Sequence, residues 1–233
     1  MPHARELPIW DLPVRLFHWL LAGAVVGAVL TAQIGGNLMV WHGRLGSLIL
    51  GLFVFRLVWG VLGSRTARFT GFVRGPSAIL AYLRGQWTGI GHNPLGALSV
   101  LALLGIIGFQ AVSGHFADDD IAFKGPLAPL LDTHGRELAT RLHHLASNGL
   151  YALVVLHLLA IGFYARVKRQ NLVRPMLTGR GPVLEGQSGN SGGSVAGFFV
   201  ALCLALAAVW GGQGGWIEVP PPAPPEAAPM HDW

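Results

Sequence analysis

RLHHLASNGLYALVVLHLLA, residues 141–160, decides the fold. The stretch is almost wholly apolar and reaches the roughly 20 residues that a bilayer crossing needs. It nevertheless carries His143 and His157. An ionisable side chain inside a membrane span is costly and marks a functional hypothesis. Fourteen residues at about 1.5 Å each place the two histidines about 21 Å apart along a helix axis, and about 100° per residue returns them to within about 40° of one face. One face therefore presents two imidazoles, one near each membrane surface. A single metal ion cannot span that distance, whereas two stacked cofactors can.

The rest of the chain agrees with a membrane setting. Of its 233 residues, 52% are hydrophobic and 12% charged, against about 25% charged in soluble domains. A soluble fold of this composition would expose large apolar patches. Apolar runs at 13–33, 40–62, 94–116, 142–166 and 195–211 give five expected spans, with membrane lipid as the solvent. The first reads as a retained helix, because it exceeds the roughly 7–15 apolar residues of a signal peptide and no small-x-small site follows.

The net charge of +5 is a topology signal and not a nucleic-acid footprint. Arg5, Arg15, Arg65, Arg68, Arg74 and Arg84 lie before or at the start of the first span, or between the second and third; Arg166, Lys168, Arg169, Arg174 and Arg180 lie at the end of the fourth or beyond it. The long connection between spans three and four has only Lys124, Arg136 and Arg141 against Asp118, Asp119, Asp120, Asp132 and Glu137. The positive-inside rule then puts the N-terminus in the cytoplasm, with the acidic connection and the C-terminus outside. Cys203, the single cysteine, excludes an internal disulfide and covalent Cys-x-x-Cys-His haem attachment. It is expected to be a buried packing thiol.

Each imidazole on the opening stretch needs a partner from another helix. His18 in RLFHWLL matches the depth of His157 on the cytoplasmic side, and His42 in VWHGRLG matches His143 on the outer side. Two facing pairs at two depths suit two bis-histidine b-type haems inside a helical bundle. With both axial positions filled, such an iron favours electron transfer over substrate chemistry. Arg15, Arg44 and Arg141 lie within three residues of the proposed ligands and are candidate partners for haem propionates. Gly23, Gly27, Gly43 and Gly46 would either admit a flat porphyrin or serve close helix packing. His144 points about 100° away from His143 and reads as a flanking residue, although the adjacent pair leaves the choice of ligand open. His92 and His115 cap span three with an angular offset of about 140° and do not form a shared stripe.

The chain divides into a four-helix unit at 1–180, a Gly/Ser-rich linker at 181–194, a fifth transmembrane helix at 195–212 and a Pro-rich periplasmic tail at 213–233. IGGN at 34–37 turns spans one and two into a hairpin. Pro76 and Gly85 bound a short interfacial helix with Ile79, Leu80 and Leu83 on one face. The expected fold class is thus an all-α membrane protein: a four-helix bundle binding two b haems, with one helix appended.

WDLPVRLFHW, WHGRLGSLILGLFVFRLVWGVLGSRTARF, FVRGPSAILAYLRG, GHNPLGALSVLALL and RLHHLASNGLYALVVLH together cover residues 10–179. In these elements the chain resembles the bacterial cytochrome b561 and nickel–iron hydrogenase b-type cytochrome group. The resemblance implies a diheme bundle in the bacterial inner membrane, with two non-covalent b haems on His18, His42, His143 and His157. It also implies electron exchange between the quinone pool and a periplasmic c-type cytochrome or another redox subunit, as the electron-transfer part of an oxidoreductase complex. A membrane oxidoreductase passing electrons from quinol directly to a small acceptor, or a haem-free scaffold, stay open as alternatives. The linker, fifth helix and tail fall outside the resemblance.

Overall fold

Most of the long helices begin at a side chain that the sequence supplies for the purpose. In the computed structural model, which describes residues 5–86, 91–121, 123–183 and 189–218, α1 (Leu12–Ile34) is capped by Asp11, whose carboxylate accepts from Val14 N at 2.7 Å. α2 (Met39–Leu62) has no side-chain cap and is entered through Gly35 and Gly36, both at positive φ, a conformation glycine adopts without strain. Two short helices follow, α3 (Phe69–Phe72) and α4 (Pro76–Leu83). Asn93 caps α5 (Pro94–Phe116), Asp132 caps α6 (Thr133–Arg166), and Ser194 caps α8 (Val195–Gly212). Each of these satisfies a backbone donor that the first turn would leave unpaired. Between α6 and α8 lies α7 (Val173–Thr178).

Among the described residues α1, α2, α5, α6 and α8 are long and apolar enough to cross a membrane, as expected for a multi-pass all-α protein. Observed and expected bounds agree within a residue or two, except that α6 starts at Thr133. Its polar first turns, THGRELATR, extend beyond the apolar run that marked the span.

α2 is the hub. It packs against α1, α5 and α8, while α6 packs on α5 and hardly touches α1. Of the apolar window of α2, 39% is buried, against 6% for α6. α1, α2, α5 and α6 thus surround a trough whose fourth seam, α1 against α6, is loosely closed. α8 seats its small residues Gly197, Ala201 and Ala205 toward the bundle. A Cβ on Gly51 of α2 would meet Val209 at 2.7 Å, so the two helices approach along that glycine. Cys203 lies two residues beyond Ala201 on the opposite face and is exposed, which corrects the expectation of a buried thiol: the small-residue stripe decides which side of α8 is covered.

A feature without a sequence signal ties one end of the bundle together. β1 (Arg5–Pro8) pairs antiparallel with β2 (Arg180–Val183), matching Arg5 to Val183 and Pro8 to Arg180. Residues 189–194, expected as part of a linker, dock beside this clasp. Asn190 N donates to Pro8 O at 2.7 Å, Asn190 Nδ2 to Ser64 Oγ at 2.9 Å, and Arg65 N to Ser191 O at 3.0 Å. This end is the sheet face; the opposite end, carrying the 117–132 connection, is the loop face. The short helix expected from Pro76 is present as α4, with Leu80 and Leu83 exposed. The Pro-rich tail from 219 onward, with His231, and His3 near the start lie outside the described residues.

Candidate functional site

At the loop-face level the structure brings His42 of α2 and His143 of α6 together. Their ring centres are 6.1 Å apart and the rings are nearly perpendicular, at 87°. Metal–imidazole bonds run at about 2.0–2.1 Å, so two rings gripping one ion from opposite sides have centres roughly 6 Å apart. The rings are aimed by the main chain. His42 Nδ1 donates to Ala28 O at 2.9 Å, and His143 Nδ1 donates to Gln110 O at 3.1 Å, with Ser113 Oγ at 3.2 Å. A carbonyl partner fixes the proton on Nδ1 and leaves the Nε2 lone pair of each ring available for a metal.

Beside this pair is a cavity of about 390 Å³, lined from all four helices of the trough, including Ala28, His42, Gly46, Gln110, Gly114, His143, His144 and Tyr151. That is within the roughly 300–1,000 Å³ typical of cofactor sites. Gly114 lets the His143 ring lie against the α5 backbone: a Cβ there would meet His143 Cε1 at 2.9 Å. Phe123 stands edge-on to His42 with ring centres 6.0 Å apart. A Cβ on Gly46 or Gly23 would meet nothing within 4 Å, whereas Gly27 is packed by Leu45 and Gly43 by Phe123. The four glycines thus divide evenly between open space and close packing. His144 is exposed, at 6.3 Å ring to ring from His143, and lines the cavity's edge. His115 is a buried packing histidine, donating from Nδ1 to Ala111 O at 2.6 Å.

At the sheet-face level His18 of α1 and His157 of α6 lie close enough to interact electrostatically. The His18 Nδ1 is buried without a hydrogen-bond partner. Around it gather polar groups that the sequence reading left out of the site. Arg56 of α2 is only 3% exposed, with its guanidinium 4.8 Å over Phe69 and 5.9 Å from Phe72. Its Nη1 has no hydrogen-bond partner. Aromatic contact returns about 0.5–2 kcal/mol, well short of the several kcal/mol that removing a cation from water costs. Asp11 interacts electrostatically with Arg56, but its carboxylate already accepts from Val14 N and from Trp59 Nε1 at 3.0 Å. His92, just ahead of α5, sits between Trp10 and Phe72, with ring centres at 4.6 and 4.7 Å. Burial, then the charges of Arg56 and His18, push its imidazole down to about 3, and its Nδ1 too lacks a partner.

The arginines singled out from the sequence fall elsewhere. Arg15 donates to Leu177 O at the end of α7 and keeps a buried Nε without a partner. Arg44 is exposed and lies 4.8 Å over Trp41. Arg141 is exposed on the first turns of α6. The signal that would have found Arg56 was present: a charged residue within an apolar run, the same criterion that singled out the histidines. Gly114 carries no such signal, because its role comes from what faces it.

A multi-pass helical bundle that brings two imidazoles together at a cofactor-sized cavity defines a class, the membrane cytochromes of b type. The sequence model of the prokaryotic cytochrome b561 family matches residues 9–179, and the chain belongs to that family. Its members are four-helix diheme membrane bundles that carry electrons on haem b. The match ends at α7 and leaves α8 outside it. No curated protein and no solved structure matches the chain.

Proposed function

We propose that this chain is the diheme electron carrier of a larger redox assembly, holding one b haem between His42 and His143 and the other between His18 and His157. The observation that carries the reading is the His42–His143 pair: perpendicular rings at 6.1 Å, each with its Nδ1 on a main-chain carbonyl. The bound haems supply one-electron redox chemistry. His42, His143, His18 and His157 would hold the haems, the Ala28 and Gln110 carbonyls would fix the tautomers of the loop-level pair, and α5 would shield that site. Arg15 stays a candidate for a propionate at the sheet face. Arg44 and Arg141 stay candidates at the loop face, the former only by leaving Trp41.

Family membership favours quinone and a second redox protein as partners. We place the electron path between the quinone pool and a periplasmic c-type cytochrome or other redox subunit. The arginine distribution favours the sheet face in the cytoplasm of a bacterial inner membrane. Purified chain should show a reduced-minus-oxidised b-type spectrum and two extractable haems per chain. A chain without non-covalent haem ends the proposal.

A further inference from the structure

We propose that Arg56, with His92 beside it, is the carboxylate clamp of the sheet-level haem, binding a propionate from inside the bundle. This rests on the reading that His18 and His157 hold a haem there.

Register supports the placement. The His42–Ala28 hydrogen bond aligns α1 and α2 so that position 52 lies level with His18. Arg56 is then one turn, about 6 Å, nearer the sheet face. A propionate reaching from a haem toward the nearer membrane surface would pass that depth. The guanidinium is buried, lies over Phe69 and Phe72, and has its Nη1 amino group without a partner. Buried guanidinium groups are held by anions, and a carboxylate matches their fork geometry. His92 lies near enough to feel the charges of both Arg56 and His18, and its Nδ1 and that of His18 are unpartnered too, so the polar shortage is shared by one neighbourhood. Arg56 is a positioning residue in this account: it would set the haem's orientation and potential without touching the iron.

The test uses the full chain with its native haem complement. In optical redox titrations of Arg56→Gln, one of the two b-type components should move to lower potential, because a neighbouring cation favours the less positive, reduced form. The same component should pass to a haem acceptor about ten- to a hundredfold faster, as expected for losing one charge-assisted hydrogen bond. Arg56→Lys should restore most of the potential. In a His42→Ala background the remaining haem should be the one that responds. If Arg56→Gln does not accumulate, wild-type chain assembled with haem dimethyl ester takes its place, and should show the same one-sided loss. Two haems with unchanged potentials and unchanged release overturn the clamp while leaving the diheme reading intact. Haem content that does not fall in His18→Ala overturns the reading beneath it.

Discussion

The two ends of the bundle hold their histidines in different ways. At the loop face, His42 and His143 are set by main-chain carbonyls of two neighbouring helices, and their rings already stand at 6.1 Å. At the sheet face, His18, His92 and Arg56 each bury a nitrogen with no partner. Main-chain acceptors stay in place whatever the site binds, so the loop level is organised by the fold itself. The sheet level buries four polar atoms that the fold leaves unsatisfied, on Arg15, His18, Arg56 and His92, against Gln110 Oε1 at the loop level among the described residues, and each costs about 1–3 kcal/mol or more when buried. Its order should therefore depend more on what it binds.

The largest expected effect breaks the loop-level pair. His143→Ala should remove one haem of two and leave the sheet-level component in the spectrum, whereas His144→Ala should leave haem content near normal. If haem falls in His144→Ala and not in His143→Ala, the ligand assignment is reversed. A smaller effect comes from crowding the ring without deleting it. Gly114→Ala places a methyl 2.9 Å from His143 Cε1, and overpacking of this kind costs about 1–3 kcal/mol. Haem at the loop level should be retained several-fold less well, with the other level unmoved. Gly105→Ala, on the exposed face of the same helix and meeting nothing within 4 Å, is the control and should change retention little. Equal behaviour of the two variants would mean that the His143 ring is free to shift, and would erase the contrast between the levels.

Why some of this was legible in the sequence and some was not follows from the range of the forces involved. Apolar runs announce spans because lipid selects on length alone, so α1, α2, α5 and α8 could be bounded closely. Helix α6 outruns its apolar stretch because Asp132 caps it in the aqueous connection. The β1–β2 clasp joins four-residue strands more than 170 positions apart, with Pro8 and Pro182 in them, and neither strand has a readable alternation. The meeting of His42 with His143 was legible because depth follows from counting residues. Arg56 shows the opposite limit. Its place in an apolar run was visible, but the Phe69 and Phe72 rings that cover it come from α3, a four-residue helix too short to show a period. Cys203 was misjudged because hydrophobicity is nearly uniform around α8, and only the Gly197–Ala201–Ala205 stripe tells its sides apart.

The smallest expected effect concerns how the sheet face is closed. Tyr82 of α4 hydrogen-bonds Tyr164 of α6, and Asn93 Nδ2 donates to the same Tyr164 hydroxyl at 2.8 Å while its Oδ1 caps α5. Three helices thus meet on one phenol pair. Burial, then the hydrogen bond to Tyr164, push the Tyr82 phenol up to about 12. Because the folded value is raised, the contact contributes fully below the unfolded value of about 10 and is lost as pH rises through about 12. An ultraviolet titration of the chain's three tyrosines should show one late component, absent in Tyr82→Phe, whose cost to stability should stay below about 1 kcal/mol. Simultaneous ionisation of all three near pH 10 would show that α4 is not held to α6 through this contact. Alkali should also disturb the spectrum of the sheet-level component before the other, since the loop level has no phenol pair closing it and relies on Thr140 bonded to both backbone groups of Asp118.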